Sequence, residues 1–165
     1  MITQSLVTHH VHASAKPYEE LVAAFEAVVG DGGDGRLMNG MRALTTVDEW
    51  ESLCRSLFGS SGFMHVLAFD HGKWQRLYGV VAKAKQYTYG NPILAWSMVK
   101  HDIAACSHVP FRVLIYETAQ GESRIAYDLP SSLMSEVGNE AVSEAARPLD
   151  DKVTAFFTQL AGAAP

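Results

Sequence analysis

Asp70 and His71 put a carboxylate beside an imidazole, the side chain whose ordinary pKa of about 6.5 suits proton transfer near neutrality. With His71 as general acid or base, Asp70 or Glu117 would orient its ring, and Tyr127 would donate a hydrogen bond to developing negative charge. Neighbours on an extended chain point in opposite directions, so the pair meets only if a turn at Gly72 folds it back. In the plainer reading Asp70 accepts backbone N–H groups in that turn. A second group, Tyr89, Asn91 and Trp96, supplies two apolar walls and one orienting amide, the make-up of a small-molecule pocket. A cleft holding both groups is the expected site. Glu117 has a structural alternative: with Gln120-Gly121 as a two-residue turn it faces Arg124 across a hairpin and forms an ion pair.

Other side chains carry rival chemistry. His10 and His12 share one strand face and could hold a metal with His65 or His71, although no metal-ligand spacing such as H-E-x-x-H occurs. His9 lies with Val7 and Val11, so it is expected inside and hydrogen-bonded, with His10 and His12 solvated. Haem would need one axial imidazole and an apolar slot, which His65, His101 or His108 beside Phe63, Trp96 or Phe111 could form. Cys54 falls on the apolar stripe of a helix and is expected to be inert, whereas Cys106, next to Ser107-His108, is open to a reactive thiolate. Lys83 and Lys85 alternate with Tyr87 and Tyr89, a basic and aromatic strip read as a solvated sheet face. No cofactor can be named from these residues.

The elements that must position these groups follow from periodicity. Alternation over Ser5 to Ala13 predicts a strand. Pro17, Glu19 and Glu20 open a helix over 17–29, with Leu21, Val22, Phe25 and Val28 on one face. Asp31-Gly32-Gly33-Asp34-Gly35 is expected to be a mobile loop or linker. Thr46 and Glu49 match a capping box ahead of a helix over 47–58, on which Trp50, Leu53, Cys54 and Leu57 recur. Phe63 to Phe69 reads as a strand apolar on both faces, Trp74 to Val81 as a helical turn, and Lys83 to Tyr89 as a strand. Asn91-Pro92 caps a short helix to about Lys100. Val109 to Thr118 and Glu122 to Asp128 form a hairpin, Pro130 to Val137 a helical turn, and Pro148 opens a final helix before a frayed tail at 162–165.

Strands joined by short turns favour an α+β fold, a mainly antiparallel twisted sheet with helices on one face. The 165 residues, 48% of them hydrophobic, suffice for one domain spanning 1–165, and no internal repeat is visible. Thirteen Lys and Arg against eighteen Asp and Glu leave a net charge of -5, which argues against nucleic acid as a partner. Two cysteines without a C-x-x-C fit a reduced, cytoplasmic setting, and no apolar run is long enough to suggest a membrane partner or export.

Four short motifs in a fixed order carry a resemblance: Asp70-His71 after a strand, Tyr89-Gly90-Asn91-Pro92, Val109-Pro110-Phe111 running to Tyr116-Glu117, and Tyr127-Asp128-Leu129-Pro130. Over about 63–160 the chain resembles the domain of unknown function 302 family, with helix 17–29 matching that family's first helix. The resemblance implies a TATA-binding-protein-like β-α-β(4)-α fold and pairing as a homodimer. It assigns no activity. Two departures stand out. Residues 31–62 form an insertion whose helix could cover a surface or an opening. Ala95-Trp96 replaces the family's Gly-Thr, so a pocket there would be more hydrophobic, or filled.

The leading expectation is a homodimer that binds a small molecule through Tyr89, Asn91 and Trp96 near Asp70 and His71. The alternatives are an enzyme using His71, a haem- or metal-binding protein, and an assembly protein with no pocket.

Overall fold

The structure is a computed structural model that describes residue 2 and residues 4–162. The tail expected to fray lies outside the described residues except Gly162, which caps the last helix at φ 74°.

The chain runs β1 (His9–Ser14), α1 (Tyr18–Val28), β2 (Gly30–Asp31), α2 (Arg36–Met41), α3 (Val47–Leu57), β3 (Met64–Asp70), α4 (His71–Gln75), β4 (Ala84–Gly90), α5 (Pro92–Val99), β5 (Phe111–Glu117), β6 (Ser123–Asp128), α6 (Pro130–Met134) and α7 (Glu140–Ala161). The six strands form one sheet in the order β1-β6-β5-β4-β3-β2, antiparallel throughout except for the short β2–β3 pair. It is the α+β architecture expected, with α1 and α7 on one face. Leu21 and Phe25 of α1 and Val153 and Phe157 of α7 meet Tyr87, Tyr89, Val113, Ile115, Ile125 and Tyr127 of the sheet in the main core. Residue alternation puts those six on one side of their strands.

Several local expectations change. Segment 31–35 is not a linker. Gly30 and Asp31 pair with Met64 and His65, Asp31 Oδ1 accepts the Gly33 N–H at 2.9 Å, and Gly35 turns the chain into α2 at φ 76°. Helix α7 begins at the Asn139 cap, not at Pro148, and continues through that proline. Burial of Val142 and Ala146 on the core side holds the first two turns despite the missing N–H at Pro148. On β1 the faces are reversed. His9 points outward to Asp128, while His10 and His12 turn under α7. Alternation identifies two faces but not which one a helix will cover. The Lys83 to Tyr89 strip likewise faces the helices: Tyr87 and Tyr89 are fully buried, and Lys85 reaches Glu26 of α1 at 2.6 Å.

The hairpin loop is one residue longer than a two-residue turn. Thr118 pairs with Glu122, Gly121 sits at φ 79°, and the register places Glu117 opposite Ser123 and Tyr116 opposite Arg124. The expected Glu117–Arg124 pair therefore does not form. Glu117 accepts from Lys83 Nζ at 3.1 Å, and Arg124 pairs with Glu122.

Candidate functional site

The segment between α1 and β3 is pinned at both ends by backbone contact. Gly30 N–H and Gly59 N–H both donate to Phe63 O at 2.9 Å. A Cβ on Gly30 would lie 1.9 Å from Leu57 O, and one on Gly59 2.2 Å from Val28 O, so only glycine permits this crossing. Helix α3 starts at the capping box read from the sequence: Thr46 Oγ1 accepts the Glu49 N–H at 3.2 Å, and Glu49 Oε2 accepts the Thr46 N–H at 3.0 Å. The N–H groups of Thr45 and Thr46, both donated to Glu49 Oε2, hold the Glu49 carboxyl below the usual carboxylate range. Leu37, Cys54, Leu57 and Met64 then close a second small core between α2, α3 and the start of β3. Burial pushes the Cys54 thiol up to about 11, as expected for an inert cysteine, and Cys106 is exposed.

Between this segment and the sheet lies a cavity of about 570 Å³. Leu37 and Met38 of α2 and Val47 and Trp50 of α3 form one wall. Met64 and Val66 of β3, Gly90 at the end of β4 and Phe111 at the start of β5 form another. Helix α5 closes it with Ile93, Ala95 and Trp96. Asn91 caps α5 as predicted: Oδ1 accepts from the Ile93 and Leu94 N–H groups at 3.0 and 3.1 Å, and Nδ2 donates to Gly62 O at 2.9 Å. The side chain thus ties α5 to the loop before β3. Trp96 is 64% exposed although it lines the cavity, so the Ala95-Trp96 departure leaves the pocket hydrophobic without filling it.

Of the residues expected to bind a ligand, Asn91 and Trp96 are on this wall and Tyr89 is not. Tyr89 is wholly buried among Phe25, Phe63 and Phe157, with its hydroxyl unpartnered among the described residues, and burial raises its pKa strongly. Trp50 and Met38 join the wall without having been expected there, and Phe111, named only as part of a haem slot, joins it without a histidine. The signal available was the Trp50 stripe on a helix placed to cover an opening.

The Asp70-His71 corner sits elsewhere. Met64 pairs with Gly90, and Asp70 pairs with Lys85 at the far end of the same ladder, a separation of about 20 Å over six strand steps. The single cleft joining the two corners does not form. At the corner, Asp70 Oδ1 caps α4 through the Lys73 N–H at 3.2 Å, the turn role considered from sequence. His71 Nδ1 accepts the Trp74 indole N–H at 3.2 Å, so Nε2 carries the proton and donates to Gln86 Oε1 at 3.2 Å. Both ring nitrogens are thus engaged with neutral groups, and neither with a carboxylate. Glu117 lies two strands away, held by Lys83. Tyr127 is beneath α7, where its hydroxyl meets His12 Nε2 at 3.0 Å, His10 Nδ1 at 3.3 Å and Thr154 Oγ1 at 3.5 Å. The structure does not bring His71, Asp70, Glu117 and Tyr127 together.

No histidine lies on the cavity wall, so haem seated there would find no imidazole ligand. Among the described residues no three His, Cys, Asp or Glu side chains gather as a metal site. His65 Nε2 approaches Asp31 at 3.6 Å and His108 Nε2 approaches Glu136 at the same distance. No helix among the described residues is long and apolar enough to cross a membrane.

Comparison with known proteins agrees with the fold. The family model described as "Domain of unknown function DUF302" matches residues 41–160, starting inside the segment read as an insertion. A solved structure, the uncharacterized conserved protein DUF302 from Bacillus stearothermophilus, superposes with a TM-score of 0.62. That alignment has 14% identity and covers 89% of this chain and 93% of the other. No curated protein matches.

Proposed function

Starting from the chain's membership of the DUF302 family, which carries no assigned activity, we propose that it is a binding protein for an apolar small molecule, held in the cavity between α2, α3, α5 and the end of the sheet. The observation that carries this reading is the cavity itself. Its volume of about 570 Å³ falls within the range of roughly 300–1,000 Å³ typical of ligand sites. Three methionines, Met38, Met64 and Met98, line it, and their unbranched thioethers adapt to ligands of irregular shape.

The test is titration with phenylnaphthylamine, a neutral probe that fluoresces in apolar surroundings. The parent chain is expected to bind one probe per chain saturably, and Ala95→Trp, which fills the space, to bind at least about tenfold more weakly. Equal, unsaturable fluorescence in both would overturn the reading.

The same reading includes pairing with a second copy. Val11, Leu67 and Phe69 are exposed on the sheet face that α1 and α7 leave open, in line with half-buried Leu114 and Tyr116. Sedimentation equilibrium should give a dimer for the parent chain and a monomer for Phe69→Lys. A parent chain that stays monomeric would remove the pairing.

A further inference from the structure

Given the cavity reading, on which this inference rests, we propose that Glu51 makes the site selective by charge, admitting apolar molecules with a neutral or cationic end group and rejecting the carboxylates of the same shape. Among the described residues four wall side chains carry polar atoms: Glu51, Asn91 and the indoles of Trp50 and Trp96. Asn91 spends its carbonyl on two helical N–H groups and its amide on Gly62 O. Among the described residues Glu51 is the one ionisable side chain on the wall, with no Lys, Arg, His or Asp beside it there. Arg55, one turn further along α3, holds Glu51 Oε2 at 2.7 Å, but its guanidinium is largely in solvent and lies off the wall. The formal charge that the lining itself contributes is therefore negative. The Glu51 side chain is 37% exposed and shares one oxygen with Arg55, so what reaches an occupant is the field of a partly screened carboxylate, which still repels an anion and attracts a cation. The indole N–H groups of Trp50 and Trp96 are donors open to an alcohol or a carboxylate, and Glu51→Gln leaves them in place, so that variant isolates the part of the preference due to charge.

The experiment displaces phenylnaphthylamine with decanol, decylamine and decanoate at pH 7, in the parent chain and in Glu51→Gln. The three competitors share one tail. Comparing amine with acid isolates the sign of the charge, because both are ions that must shed water. In the parent chain decanol displaces the probe, and decylamine binds about tenfold or more tightly than decanoate. In Glu51→Gln the gap between amine and acid should close to within about threefold, with each competitor read against decanol in the same variant.

Displacement by decanol with no gap between amine and acid overturns the charge selection and leaves the cavity reading standing. So does a gap that Glu51→Gln leaves unchanged. Failure of the probe and of all three competitors to bind the parent chain removes the cavity reading, and this inference with it.

Discussion

The two ends of the β3–β4 ladder differ in what their side chains have left to offer. At the Met64–Gly90 end, α3 and α5 hold Trp50, Ile93 and Trp96 around open apolar space. At the Asp70–Lys85 end, each polar group already has a partner: Asp70 caps α4, and His71 bonds Trp74 and Gln86. A hydrogen-bonded corner of this kind resists solvent and fixes a turn. An unfilled apolar wall instead gains free energy when a ligand covers it. The end richer in reactive side chains is thus the structural one, and the plain hydrophobic end is the candidate for binding.

The largest expected effect breaks the comparison at the cavity end. In Gly59→Ala the new Cβ meets Val28 O at 2.2 Å, and the backbone must shift. We expect a loss of about 3 kcal/mol or more in denaturant unfolding, with probe binding abolished. A variant as stable as the parent would mean the segment carrying α2 and α3 is not anchored as described. Next, Trp50→Ala removes one wall without touching the main core. Probe affinity should fall about tenfold while the fold persists by circular dichroism, as for loss of a central aromatic contact. Unchanged affinity would take Trp50 out of the site.

A smaller effect is expected at the other end. His71→Ala loses two neutral hydrogen bonds, so stability should fall by about 1 kcal/mol with probe affinity unaltered. A large loss of binding from that change would join the two ends functionally.

Smallest is a pH effect beneath α7. Burial, and to a lesser degree neighbouring His10, lower the His12 pKa below its ordinary 6.5. The unfolded chain then takes up the proton more readily. This contribution to stability is full above pH 6.5 and is lost as pH falls through the lowered value. The unfolding midpoint should drop less steeply below pH 6.5 in His12→Gln than in the parent chain. Parallel profiles would contradict it.

These differences explain what could be read in advance. Helix α1, the Thr46 capping box and the Asn91-Pro92 cap depend on contacts a few residues apart, so spacing revealed them. Short turns between the strands revealed the α+β architecture, and the family motifs pointed to the same class. The reversed faces of β1 and the direction of Lys85 and Tyr87 depend on which side α1 and α7 choose, and alternation carries no such sign. The hairpin register turned on one residue between Thr118 and Glu122, enough to separate Glu117 from Arg124. Half of the pocket was legible through Asn91, Trp96 and the covering helix. Its opposite wall, Met64 and Phe111, needs strands β3 and β5 brought to one end of the sheet, which is tertiary information.

The chain's three tryptophans allow the most direct measurement, because two line the cavity and Trp74 bonds His71 at the far end. Indole N–H resonances can be followed by NMR as phenylnaphthylamine is added. The account expects the Trp50 and Trp96 signals to move together and saturate while Trp74 stays in place. Movement of Trp74 alone, or of none of the three on binding, would contradict it.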